Sequence, residues 1–229
     1  MKLALVSDIH ERNMKKVTGI LRENDPDIIC VAGDIMHKMH HDRLTQGVLD
    51  TFRAFADTAD TYFSLGNHEK ELGERSLAQI SKTGTKVLDN RWVSLGEHVF
   101  LGGMSSTGYE NPDGIRRPHF SDFLDSFTSL SGYRILMCHH PEYYEWYPII
   151  KSADLVLSGH AHGGQWRFFG RGVYAPGQGL WPKYTKGVYD GRLVVSAGCS
   201  NSTTPVPRLF NPSEVVFVSL DEQNPLVKT

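Results

Sequence analysis

The chain has 229 residues, with 24 Lys and Arg against 26 Asp and Glu, for a formal net charge of −2. At 40% hydrophobic and 22% charged residues it has the make-up of an ordinary globular protein, which excludes disordered and fibrous classes. No apolar run approaches the roughly 18 residues of a membrane span, and the near-neutral charge argues against a broad nucleic-acid surface, so neither a transmembrane segment nor a stable nucleic-acid partner is expected.

The N-terminus turns polar at Ser7-Asp8, too early for the apolar region of an export signal. Three cysteines, Cys30, Cys138 and Cys199, cannot all pair, which suits a reducing compartment. A cytoplasmic location is the expectation. No repeat, low-complexity tract or long linker interrupts the chain, and one domain over residues 1–229 is expected.

Leu3 to Val6 is a short buried strand, followed by a helical pattern through Val17, Ile20 and Leu21. Ile28 to Ala32 is a second strand; Leu44, Val48, Leu49, Phe52, Phe55 and Ala56 then recur on one helical face. Tyr62 to Leu65 reads as a third strand, and Lys70 to Lys82 as a helix stopped near Gly84. Lys86 to Gly103 has the short alternating runs of an antiparallel sheet. Ile135 to Cys138 and Leu155 to Leu157 are further buried strands. Gly163 to Gly187 reads as a long loop rich in Gly, Pro and aromatics, and Leu193 to Ala197 and Val215 to Leu220 close the chain as strands. Helices between buried strands predict an α/β protein with its sheets sandwiched between helices.

Polar motifs follow five of these buried runs: Ser7-Asp8-Ile9-His10, Gly33-Asp34, Gly66-Asn67-His68-Glu69, His139-His140-Pro141 and Ser158-Gly159-His160-Ala161-His162. In open α/β sheets ligands sit beyond the carboxyl ends of the strands, where such loops converge. Imidazole and carboxylate are ligands for Zn, Mn and Fe. Asp8, His10, Asp34, Asn67, His139, His160 and His162 exceed the roughly four donors one tetrahedral ion takes, so two ions sharing a carboxylate are expected. Two dications against Asp8, Asp34 and a hydroxide leave about one net positive charge, which would attract a phosphate.

In order and residue type these five motifs resemble those of calcineurin-like metallophosphoesterases. The resemblance implies a four-layer αββα sandwich of two mixed sheets flanked by helices. It also implies two metal ions, of the Mn, Fe or Zn type. Asp8, His10 and His162 would hold one ion and Asn67, His139 and His160 the other, with Asp34 bridging. It selects His139 over His140 and gives His68 the role of protonating the leaving oxygen of a phosphomonoester or phosphodiester. The run Gly159 to Gln165, with Lys183, Tyr184 and Gly187, is similar to bacterial UDP-diacylglucosamine-type phosphohydrolases.

Other residues have plainer readings. His37, His98 and His119 read as structural, His40 and His41 as parts of a solvated loop, and Cys138 as a buried strand residue. The aromatics Trp166, Phe168, Phe169, Tyr174, Trp181 and Tyr184 are either packing or, with Lys183 and Tyr184 contacting substrate, a wall beside His160 and His162. A nuclease, and a non-catalytic interaction module on the same fold, stand as the alternatives.

Overall fold

A computed structural model of the chain describes residues 1–37, 44–106, 120–201 and 206–220; His40, His41 and His119 lie outside them. In chain order the first half is β1 Lys2–Val6, α1 Met14–Asn24, β2 Ile28–Ala32, α2 Gln46–Ala56, β3 Asp60–Ser64, α3 Glu74–Ser81, β4 Lys86–Val87, β5 Arg91–Ser94 and β6 Val99–Met104. There follow α4 Phe120–Thr128, β7 Tyr133–Cys138, α5 Tyr143–Trp146, a 3-10 turn Pro148–Ser152 and β8 Leu155–Ser158. After a second 3-10 turn, His162–Gly164, come the two-residue strands β9 Arg167–Phe168, β10 Arg171–Gly172, β11 Tyr174–Ala175 and β12 Gly179–Leu180. The chain closes with β13 Gly187–Tyr189, β14 Leu193–Val195 and β15 Val216–Ser219.

Two mixed sheets form the centre. One has the order β15-β1-β2-β3-β4, parallel except where β15 runs antiparallel to β1. The other has the order β13-β14-β8-β7-β6-β5, parallel from β14 to β6 with antiparallel strands at both edges. Strand alternation sorts the core into three layers. Leu3 and Leu5 of β1 and Cys30 and Ala32 of β2 face Leu101, Ile135, Met137 and Leu157 of the second sheet. Ala4, Val6, Ile29 and Val31 point the other way, against Val17 and Leu21 of α1 and Phe52 and Phe55 of α2. Leu136 and Val156 pack under Phe123 and Phe127 of α4 and Tyr144 of α5. The result is the expected αββα sandwich, with strands buried on both faces and accordingly apolar at successive positions.

The local differences have local causes. The region after α3 divides between the sheets: β4 pairs parallel with β3, while β5 and β6 form an antiparallel pair in the second sheet. The chain changes sheet at Asn90, whose φ is 49° and whose side-chain oxygen accepts from the Ser105 amide at 3.1 Å. Helix α3 begins at Glu74 because residues 66–72 are held in turns, with Glu69 N donating to Gly66 O and Leu72 N to Glu69 O. The Gly163–Gly187 stretch is two small hairpins, β9–β10 and β11–β12, rather than an unstructured loop.

Gly103 of β6 packs directly against Leu88 and Ser64 on the side of the first sheet. A Cβ there would lie 2.4 Å from Leu88 O and 2.5 Å from Leu88 Cβ. Gly103→Ala should therefore wedge the layers apart and lower stability by about 1–3 kcal/mol, read as a lower urea midpoint with an unchanged denaturant slope.

Candidate metal centre

The loops after β1 and β2 are joined by backbone hydrogen bonds: Asp8 N donates to Gly33 O at 3.2 Å, His10 N to Asp34 O at 3.1 Å and Glu11 N to Ile35 O at 2.9 Å. This pairing requires tight reversals. Asp8, His10, Asp34, His160 and His162 all have φ between 47° and 64°, so five of the seven sequence-predicted ligands adopt the left-handed conformation. It costs an L-residue roughly 1–2 kcal/mol, with Asp, Asn and His among the more tolerant types. Strain of this kind gathers where side chains must be aimed. Close approach is needed too: a Cβ on Gly66 would stand 2.2 Å from Asp34 Oδ1, so only glycine lets the β3 loop pass the Asp34 carboxylate.

The side chains converge on one point. Asp8 Oδ1 lies 3.5 Å from His162 Nε2 and 4.0 Å from His10 Nε2, and the two imidazole Nε2 atoms are 3.4 Å apart. Asp34 Oδ2 is 3.2 Å from His139 Nε2 and 3.7 Å from His68 Nε2, while Asp34 Oδ1 accepts from the His68 amide at 2.9 Å. The second sheet is tied in when His160 N donates to the Asp8 carboxylate at 3.1 Å. Two histidines have their far nitrogen on a main-chain carbonyl: His10 Nδ1 on Met36 O at 3.1 Å and His139 Nδ1 on Ala32 O at 2.7 Å. Donation there places the lone pair on Nε2, which faces the centre.

Burial governs the electrostatics. It pushes the His10 imidazole down to about 4 against the pull of Asp34 and Asp8. It also depresses His162, His68 and His160, the last helped by neighbouring His140 and His139. Such imidazoles are neutral and available as donors to an electrophile. Burial opposes charge on Asp34 as well, yet His139, His68 and His10 around it hold its carboxyl well below the usual range. Burial likewise disfavours His139 as a cation, but the Asp34 carboxylate outweighs it and raises this imidazole to about 10.

The donor set fits divalent ions. Asp8, His10 and His162 offer ligand atoms within 4.8 Å of one another, and so do Asp34, His139 and His160. Asn67 Oδ1 is buried with no hydrogen-bond partner among the described residues, an arrangement that is costly unless an electrophile takes its lone pairs. His10, Asp34, Asn67, His68, His160 and His162 line one side of a cavity of about 530 Å³. Apart from Gln165, the rest of the lining is apolar or aromatic: Trp166, Val173, Tyr174, Pro176, Leu180 and Val206.

Lys183 and Tyr184 are placed elsewhere. Lys183 Nζ donates to Glu145 Oε1 at 2.8 Å, and buried Tyr184 gives its hydroxyl to the same oxygen. Neither lines the cavity; the aromatic wall is there, but other residues of the hairpins make it. Cys138 is buried and free, and burial pushes its thiol up, as a strand residue requires.

Glu69 matters more than its sequence position suggests. Fully buried, it accepts from three main-chain amides, Asp34 N at 2.8 Å, Gly66 N at 2.8 Å and Met36 N at 3.1 Å. It thereby clamps the β2 and β3 loops together. Burial, with Asp34 nearby, raises its carboxyl to about 7 against these donors. Asn211 does the same for the β8 loop, its Nδ2 donating to His162 O at 2.7 Å and Gln165 O at 3.2 Å. The two carbonyls that accept from Asn211 lie more than forty positions away, and no local pattern announces it. The only sequence signal for Glu69 was its place beside Asn67-His68.

A family model described as calcineurin-like phosphoesterase matches residues 1–164. An uncharacterized metallophosphoesterase of Campylobacter jejuni is 29% identical over 96% of this chain, which spans 59% of that relative's length. One of Aquifex aeolicus is also 29% identical, over 96% of this chain and 85% of its own. Among solved structures, a 5'-nucleotidase precursor from Thermus thermophilus superposes with a TM-score of 0.57 at 15% identity, over all of this chain and 53% of that one. At that identity the likeness speaks for the fold alone.

The clamp carries a direct expectation. Glu69→Ala leaves three buried amides without an acceptor and should cost about 2–4 kcal/mol, seen as a lower urea midpoint of the purified protein.

Proposed function

Because the chain belongs to the calcineurin-like phosphoesterase family, we propose that it is a binuclear metal-dependent hydrolase of phosphomonoesters or phosphodiesters, working as one domain over residues 1–229. The observation that carries this reading is the position of Asp34. Its carboxylate lies 3.2 Å from His139 and 3.7 Å from His68, belongs both to the group with His10 and His68 and to the group with His139 and His160, and lines the cavity.

In this reading Asp8, His10 and His162 hold one ion, Asn67, His139 and His160 the other, and Asp34 serves both. Divalent ions of the Mn, Fe or Zn type supply Lewis acidity there, as positive charge against the phosphoryl oxygens and a more acidic water. His139 gives up its proton to act as a ligand, which makes loading weaker at low pH. His68 lies in the cavity wall with its Nε2 near Asp34 Oδ2 and its Nδ1 buried without a partner. It binds the phosphate and donates a proton to the departing alkoxide oxygen. Its depressed affinity for protons makes it the stronger acid once an anionic substrate keeps it charged.

The resemblance of Gly159 to Gln165 to UDP-diacylglucosamine-type phosphohydrolases belongs to the same proposal. The apolar wall of the cavity that His68 lines suits an ester whose organic group is larger than the phosphate it carries. Lys183 and Tyr184 support substrate binding at one remove, by anchoring this wall to Glu145. Three buried free cysteines support the cytoplasmic assignment. Among the described residues no helix is long and apolar enough to cross a membrane.

Metal analysis of the purified protein beside a panel of mono- and diesters tests the reading: two ions per chain and turnover of at least one ester are expected. Asp34→Asn should abolish metal loading and activity together. His68→Ala should keep the metals and lose about 10²–10⁴-fold in kcat; loss of both ions in that variant would remove His68 from its assigned role.

A further inference from the structure

Three aromatic side chains stand at the tips of the C-terminal loops in an arrangement that folding does not explain. Phe169, Trp181 and Phe210 each have φ between 50° and 55°, a backbone region disfavoured for any L-residue and most for a bulky one. All three point into water: Phe169 is fully exposed, Phe210 is 76% exposed and Trp181 68%. The chain thus bears both backbone strain and apolar exposure at the same positions. They adjoin one another: Phe168, next to Phe169, meets the Phe210 ring edge to face at 5.8 Å, Trp166 forms a bridge with Leu209, and Trp181 shares a groove with Gly170 and Arg171. The patch adjoins the cavity mouth, since Trp166, Tyr174 and Leu180 are among the cavity's lining residues and are themselves exposed.

The charge around the patch is one-sided. Residues 163–187 contain Arg167, Arg171, Lys183 and Lys186 and no Asp or Glu; residues 206–211 contain Arg208 and again no acid. Lys183 and Lys186 pair with Glu145 and Glu214 at the base of the hairpins, while Arg171 is exposed. The two carboxylates that pair with Lys183 and Lys186 do not cancel the five cations, and projecting aromatics beside a net positive charge match an anionic lipid–water interface, where rings settle at headgroup depth and cations meet lipid phosphates.

We propose that Phe169, Trp181 and Phe210 dock the protein reversibly on an anionic phospholipid bilayer, with the mouth of the cavity against the surface. The docking stands on residues outside the cavity and is read without turnover. Only the meaning of the mouth's orientation rests on the phosphoesterase reading, so the two can fail separately.

The test uses the full chain with metals added. It compares co-sedimentation with phosphatidylcholine vesicles and with mixed phosphatidylcholine–phosphatidylglycerol vesicles at low and high salt. Binding to the mixed vesicles, weakened by salt, is expected, with a blue shift in tryptophan emission that Trp181→Phe diminishes. Phe169→Gly combined with Phe210→Gly should weaken partitioning on the order of tenfold while leaving hydrolysis of a soluble ester unchanged. Because glycine accepts the left-handed backbone, that variant should also melt no lower than the parent, which separates lost docking from lost folding. The proposal is overturned if the parent fails to bind either vesicle or if the double variant binds equally well. It is also overturned if sedimentation shows a parent dimer that the variant dissociates, since a second copy would then cover the patch.

Discussion

A single hydrogen bond shows what the architecture must achieve. His139, at the end of a strand in one sheet, donates from Nδ1 to Ala32 O at the end of a strand in the other, 2.7 Å away. That bond turns Nε2 onto Asp34 and requires the two sheets to end level with one another at this edge. The inter-sheet core of Leu3, Leu5, Ile135 and Met137 sets their spacing, and the absence of a side chain at Gly103 allows it to be small. The centre is therefore a property of the stacking as much as of any loop. A one-residue slip in the register of β7 between β6 and β8 would turn its inward side chains outward and separate His139 from its carboxylate.

The strain at the strand ends follows from the same requirement. Short side chains reach a common point only if the backbone reverses at once, and Asp8, His10, Asp34, His160 and His162 do so with positive φ. What holds them there is a second set of contacts, the three amides on Glu69, the Asn211 amide on the β8 loop, and the Ser200 hydroxyl on Asp8 O at 2.9 Å. The hydrogen bonds of the outer residues thus fix backbone conformations that the inner residues would not adopt unaided.

This division explains what could be read from the amino-acid order. The ligand candidates were legible because each follows an apolar run directly, so local pattern and spatial position coincide. The sandwich was legible for the same reason, through strands apolar at every position. Glu69 and Asn211 were not, since their importance lies in main-chain groups of other segments, amides of the β2 loop for Glu69 and carbonyls of the β8 loop for Asn211. Lys183 and Tyr184 had the right composition for a substrate wall, but Glu145 on α5 turns both toward the hairpin base, and Trp166, Tyr174 and Leu180 line the cavity instead. The parallel pairing of β4 was hidden because two residues are too few to show a period.

The lone pairs left open in the interior have a further meaning. A core that buries Asn67 Oδ1 with no partner among the described residues, beside five reversed backbones, is under tension until cations arrive. On the proposed chemistry, loading releases that tension, and binding energy becomes conformational stability. Newly made chains would then mature in proportion to the free metal around them, and those left empty would be the first surrendered to proteolysis.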